Sequence, residues 1–213
     1  MRISSNYILN LRNLIIAVCV LFCAFGAAGA QTPAVDKIWT TVGSAGTPDE
    51  SATGKIFFDH GVVQMGRILT NQTPSRAGIL QQTQSAVIRY NVTPVDGLFT
   101  QKQQTCTGQS CPALKLTLRF LRAGASARVV ANLIEVDLAT GLEKIRLTFD
   151  SKAFSASNRY QVGSGPFSCG PEFLFDFKRK AYYIEATLTG SSIAIGSAAG
   201  IQMIKIETDF CLG

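Results

Sequence analysis

Residues 114–120 read LKLTLRF, and this stretch decides the fold class. Leucine or phenylalanine occupies every second position, and lysine, threonine and arginine occupy the positions between them. Successive side chains of a β-strand point to opposite faces of its sheet, so the alternation predicts a strand with one buried and one solvated face.

The same period of two recurs along the chain, and no segment has a convincing helical period. Strands are predicted at 38–42, 85–93, 128–138, 143–149, 173–177, 181–189 and 201–208. The short apolar runs 56–58 and 62–65 flank the turn sequence Asp59-His60-Gly61 and predict a hairpin. About eight to ten short strands of this kind predict an antiparallel β-sandwich of jelly-roll or immunoglobulin-like type. The alternative is a closed up-and-down β-barrel.

The polar stretches between these runs predict loops. Residues 43–54 (GSAGTPDESATG) and 70–83 are rich in turn formers, and 151–171 is the longest segment without clear alternation. The predicted organisation is a signal peptide over 1–30, an N-terminal edge strand and flexible loop over 31–54, and a single β domain over 55–213.

The first 30 residues have the three parts of an export signal. Arg2 and Arg12 are its only charges, residues 14–25 are uninterrupted apolar sequence, and Ala28 and Ala30 suit a signal peptidase that cleaves after Ala30. The apolar run is shorter than the roughly 20 residues that span a bilayer. We therefore expect a secreted or periplasmic protein with no membrane span in the mature chain.

Four cysteines follow the predicted cleavage site: Cys106, Cys111, Cys169 and Cys211. In an exported chain an even number predicts two disulfides, although three pairings are possible. The sequence favours Cys106 with Cys111 across a short polar loop, and Cys169 with Cys211. The chain has one histidine and no Cys-x-x-Cys pair, so the pattern does not match a zinc site.

The charge pattern excludes one class of partner. The chain has a net charge of +6, but its basic residues are scattered apart from the run at 178–180. Nucleic-acid binders usually cluster lysine and arginine on one face, so no nucleic-acid partner is expected.

The candidate catalytic groups in this sequence are carboxylates. Glu135 and Asp137 are two residues apart on one predicted strand, where they could flank a glycosidic bond, and Glu185 on another strand could join them. The single His60 lies in a turn, and no Gly-x-Ser-x-Gly or Ser-x-x-Lys motif is present. No catalytic residue, metal ligand or cofactor is assigned.

Tyr182 and Tyr183 are adjacent, so a strand sends one ring to the core and the other to the surface. Together with Glu135 and Asp137 they are the candidate ligand surface. The sequence predicts a secreted, non-catalytic surface, adhesion or ligand-binding module whose partner is a carbohydrate or a cell-surface protein. The alternatives are a secreted hydrolase that uses the carboxylate pair, and a barrel that carries a small ligand.

Overall fold

The computed structural model describes residues 38–65, 83–94, 110–166, 168–169, 175–191 and 198–212, all within one compact unit, Asp36–Gly213. These ranges contain twelve strands, three single turns of 3-10 helix and no α-helix. The strands are β1 (Ile38–Val42), β2 (Thr47–Pro48), β3 (Ile56–Asp59), β4 (Val62–Met65), β5 (Thr83–Val92), β6 (Ser110–Ala123), β7 (Arg128–Asp137), β8 (Glu143–Asp150), β9 (Ser157–Ser164), β10 (Ser168–Cys169), β11 (Lys180–Ser191) and β12 (Ala198–Leu212). The predicted signal peptide, most of the predicted 70–83 loop and Cys106 lie outside the described residues.

The strands form two antiparallel sheets. The seven-stranded sheet has the order β10-β6-β12-β4-β3, with β1 also paired to β12 and β9 also paired to β6. The five-stranded sheet has the order β2-β5-β11-β7-β8. Within the described ranges no strand of one sheet is hydrogen-bonded to a strand of the other. The predicted β-sandwich is confirmed, and the alternative of a closed barrel is wrong.

The strand connections are those of a jelly roll. Four antiparallel pairs are nested in the chain: β7 with β8 innermost, then β6 with β9, β5 with β11, and β4 with β12. Successive pairs lie in alternate sheets, so the chain is one long hairpin rolled over the two layers. Of the two sandwich types expected from the sequence, the nesting of these eight strands is that of the jelly roll.

The core follows the period of two that predicted it. On β11, Ile184, Ala186 and Leu188 are fully buried, whereas Glu185 and Thr187 between them are partly exposed. The apolar residues at 114, 116, 118 and 120 of β6 are buried in the same way. Each large side chain of this kind stabilises the fold by about 1.5–3 kcal/mol through burial. The period of two therefore sets which face of each sheet meets the other.

The hairpin predicted at 56–65 is present as β3 and β4. His60 and Gly61 occupy its two turn positions, both with positive φ of 42° and 84°. This backbone matches the right-handed twist of the flanking strands, and glycine adopts it without steric cost. The His60 side chain is 95% exposed and its Nδ1 lies within hydrogen-bond distance of the Asp59 carboxylate, so it is a solvated turn residue.

The segment 43–54, predicted as a loose loop, instead connects the two sheets. β1 pairs with β12 in one sheet and β2 pairs with β5 in the other, with two short 3-10 turns around β2. The buried Tyr90 hydroxyl donates a hydrogen bond to the Gly43 carbonyl at 2.8 Å. A Cβ at Gly43 would lie 1.9 Å from the carbonyl oxygen of Ile201, so only glycine permits this close approach. Because residues 43–54 are rich in turn-forming residues, the sequence did not predict these contacts.

Two further predictions are corrected. Residues 157–164, expected to be irregular, form β9 along β6. Only Gly163 of β9 is buried, so no alternation marks this strand, and it forms because β6 offers it an edge. The strand predicted at 173–177 is not seen in its described part: Phe175 precedes a turn, and its ring stacks on Phe177 at a centroid distance of 5.5 Å.

Candidate functional site

Glu135 lies in the interior rather than on an open surface. It occupies β7 and is only 6% exposed. Its Oε2 is 3.0 Å from Nε of Arg146, whose side chain is 8% exposed, and its Oε1 forms an ion pair with Lys180. A buried carboxylate that faces two cations is electrostatically compensated. Glu135 therefore joins β7, β8 and β11 at one end of the five-stranded sheet.

A β-bulge places Arg146 in this cluster. Leu133 is opposite Leu147 and Ile134 is opposite Ile145, so Arg146 is an extra residue in β8 with no partner in the register. An extra residue of this kind bends the strand and redirects side chains. The bulge explains why an arginine between two apolar residues of an edge strand reaches a buried carboxylate. No local sequence pattern predicts this bulge.

Asp137 stabilises the turn that follows β7. Its Oδ1 accepts hydrogen bonds from the backbone N–H groups of Ala139 at 2.9 Å and Thr140 at 3.0 Å, and from the Thr140 hydroxyl at 3.1 Å. The Thr140 and Ala139 hydrogen bonds, with a smaller effect from Lys180, lower the pKa of Asp137. A general acid needs the opposite shift. Asp137 is thus a turn carboxylate with its oxygen engaged by the backbone.

The two tyrosines divide between the faces of β11 as expected. Tyr182 is buried, packs against Phe175 with ring centroids 4.6 Å apart, and accepts a hydrogen bond from the backbone N–H of Asp176 at 2.9 Å. Tyr183 is partly exposed on the opposite face, and its hydroxyl donates to Glu143 Oε1 at 2.9 Å. Desolvation, followed by the Glu143 hydrogen bond, raises the pKa of Tyr183 to about 12. Of the four predicted ligand-surface residues, Glu135 and Tyr182 are therefore interior.

A row of polar side chains crosses the outside of the five-stranded sheet. The register aligns Arg89, Glu185, Asn132 and Thr148 on β5, β11, β7 and β8. Arg89 donates two hydrogen bonds to Glu185 Oε2, from Nε at 3.1 Å and Nη2 at 3.0 Å. The Thr148 hydroxyl donates to Asn132 Oδ1 at 3.0 Å. Four neighbouring strands span about 14 Å at their usual spacing.

Tyr183 stands beside this row, next along β11 on the same face as Glu185. We call these five residues the outer polar face: Arg89, Asn132, Thr148, Tyr183 and Glu185. Asp49, which follows β2, extends it, because its Oδ2 is 3.2 Å from Arg89 Nη1. Sequence reasoning identified only Tyr183 and Glu185 as candidates. The others share a row only through a strand register that the sequence does not display.

The outside of the seven-stranded sheet carries a second polar cluster. Glu207 Oε2 accepts a hydrogen bond from the Thr117 hydroxyl at 2.7 Å, and the Thr117 and Ser164 hydroxyls are 2.8 Å apart. Lys115 lies 3.4 Å from the same carboxylate, and Lys205 forms an ion pair with it. Although burial raises the pKa of Glu207, hydrogen bonds from Lys205 and Thr117 lower it overall. This carboxylate is held ionised, and its partners join neighbouring strands.

The backbone register locates three of the four predicted disulfide cysteines. Cys111 on β6 is directly opposite Cys211 on β12, and Cys169 on β10 is opposite Ala113 on the other side of β6. Cys106 lies outside the described residues. Within the described part of the chain, no group of three or more histidine, cysteine, aspartate or glutamate residues has an arrangement that could hold a metal ion.

No protein-family model matches the chain, and no curated protein matches its sequence. Among the residues that the structure describes, none of the helical turns has the length and apolar character needed to cross a bilayer.

Proposed function

We propose that this chain is an exported, non-catalytic binding module that recognises carbohydrate through the outer polar face. The observation that carries the proposal is the aligned row of Arg89, Glu185, Asn132 and Thr148 with Tyr183 beside it. A jelly roll hosts many functions, so the fold alone supports no choice among them.

The hydrogen-bonding groups of this face suit a ligand with many hydroxyls. A sugar hydroxyl both donates and accepts; the Arg89 guanidinium donates, the Glu185 carboxylate accepts, and the Asn132 amide does both. Tyr183 adds an aromatic ring with a polar tip, a combination enriched where proteins contact ligands. The face is partly exposed and its groups are already held by one another, which lowers the ordering cost of binding.

The rival hydrolase hypothesis has less support. Glu135 is engaged by Arg146 and Lys180, and Asp137 is engaged by its own turn. A glycosidase needs one carboxyl group with a raised pKa and a second one free to attack or to activate water. Neither arrangement favours that chemistry, so binding without turnover is the better account.

Glycan-array binding of the oxidised chain, with and without calcium, tests the proposal. We expect saturable binding to one glycan class, weakened about tenfold or more by Arg89→Ala or Tyr183→Ala, a change of about 1.4 kcal/mol. The matched control is Tyr160→Ala, because Tyr160 hydrogen-bonds Gln64 in the seven-stranded sheet. Its binding should be unchanged.

Three outcomes would contradict the proposal. Blank arrays would favour a protein partner on the cell surface. Equal losses in all three variants would indicate that the outer polar face is not the site. Turnover of a bound glycan that disappears in Asp137→Asn would establish the hydrolase instead.

A further inference from the structure

The pairing of β6 with β12 places two cysteines at directly opposite backbone positions. These strands pair from Ala198 opposite Ala123 to Leu212 opposite Ser110, and Cys111 is directly opposite Cys211. Directly opposite residues in an antiparallel pair have Cα atoms about 4.5–5.5 Å apart. Disulfides usually join Cα atoms about 4.4–6.8 Å apart. The register therefore suits a bridge across these strands.

Cys169 does not share this placement. It lies on β10, beyond β6 from β12, so two strand spacings of about 4.8 Å separate it from the strand of Cys211. Its partner Ala113 is two residues from Cys111, and such diagonal neighbours are about 7–8 Å apart. Both separations exceed the usual disulfide range. The pairing of Cys169 with Cys211 that the sequence favoured does not fit this register.

We propose that Cys111 and Cys211 form a disulfide that ties the C-terminal strand β12 to β6, which leaves Cys106 for Cys169. Glutathione disulfide can supply the oxidant: the two cysteine thiols lose two protons and two electrons, one S–S bond forms, and two glutathione thiols are released. The bridge closes the long loop of chain from residue 111 to residue 211, so it strongly restricts the conformations of the unfolded chain.

Peptide mapping of the full chain tests the connectivity. The chain is refolded with reduced and oxidised glutathione, with Cys19→Ser and Cys23→Ser throughout to remove the two cysteines of the predicted signal. Trypsin then releases residues 103–115, which contain Cys106 and Cys111, together with 160–178 and 206–213, which contain one cysteine each. We expect these three peptides joined in one species. An internal bridge in 103–115, with 160–178 joined to 206–213, would overturn the proposal.

A pair of double variants separates the two pairings that would both join three peptides. Cys106→Ser with Cys169→Ser leaves Cys111 and Cys211, and peptides 103–115 and 206–213 should be joined in most molecules. The matched control, Cys111→Ser with Cys169→Ser, leaves Cys106 and Cys211, and the same peptides should be mostly separate. The reverse result, or free thiols at all four positions of the parent chain, would contradict the inference.

Discussion

Two Glu–Arg pairs lie on opposite faces of the five-stranded sheet and have the same nitrogen–oxygen separation of 3.0 Å. The inner pair, Glu135 with Arg146, has side chains 7% and 8% exposed. The outer pair, Glu185 with Arg89, has side chains 26% and 49% exposed. Similar groups at the same distance therefore meet very different surroundings.

The difference lies in what each pair can do. In the interior, removing one partner takes away a charge that water cannot easily replace, so the pair has a structural role. At the surface, water and salt screen the interaction, and its contribution to stability is small. Arg89 and Glu185 could therefore exchange their mutual hydrogen bonds for hydrogen bonds to a ligand at little cost to the stability of the fold. The face on which each carboxylate lies, rather than its position in the sequence, separates the structural role of Glu135 from the binding role proposed for Glu185.

Replacing the inner carboxylate should have the largest effect. Glu135→Gln keeps the shape of the side chain but removes the negative charge that faces the buried Arg146 and the partly exposed Lys180. We expect the free energy of unfolding to fall by about 3–5 kcal/mol. Urea denaturation of the parent chain and the variant measures this difference. An unchanged denaturation midpoint would mean that the inner cluster does not support the fold.

The tyrosines offer the same comparison without charge. Tyr90→Phe should lower the free energy of unfolding by about 1–2 kcal/mol, because it leaves the buried Gly43 carbonyl without its donor. Tyr183→Phe removes a hydroxyl that bonds an exposed carboxylate, and it should change stability by less than about 0.5 kcal/mol. Thermal and urea unfolding of both variants would reveal the difference. Equal losses would contradict the division between faces.

A third prediction concerns how the stability contributed by the Asp150 carboxylate depends on pH. The hydrogen bond from Arg128 lowers the pKa of Asp150 below 3.8, against a smaller opposing effect of desolvation. The ionised Asp150 therefore contributes stability that is complete above the unfolded-state pKa and is lost as pH falls through the lower folded-state pKa. The stability difference between the parent chain and Asp150→Asn should shrink below about pH 4. Unfolding measured from pH 7 to pH 2 tests this, and a constant difference would contradict it.

Most of the fold was readable from the sequence because burial enforces the period of two. The strands around 114–120, 128–138 and 181–189 each place an apolar face on the core, and all three are present. β9 was not readable, because every residue except Gly163 is at least partly exposed and the strand follows the edge of β6. In the described part of the segment 173–177 the predicted strand is absent, because Phe175 and Phe177 pack against Tyr182 at the start of a turn.

The candidate site was less readable than the fold. Tyr182 and Tyr183 are adjacent on a strand, so their side chains had to point to opposite faces of the sheet, and they do. Whether Glu135 faced water or Arg146 depended on a bulge in β8, which is a property of two paired strands. Likewise, Arg89 and Asn132 meet Glu185 only through the register of three strands. One sequence records the residues but not which strands become neighbours.

Side-by-side unfolding of Glu135→Gln and Glu185→Gln tests the division between the two faces most directly. The variants make the same chemical change on neighbouring strands of one sheet. We expect a loss of about 3–5 kcal/mol for Glu135→Gln and less than about 1 kcal/mol for Glu185→Gln. Small and equal losses would contradict the account, because they would leave the Glu135 carboxylate as free for chemistry as the Glu185 carboxylate.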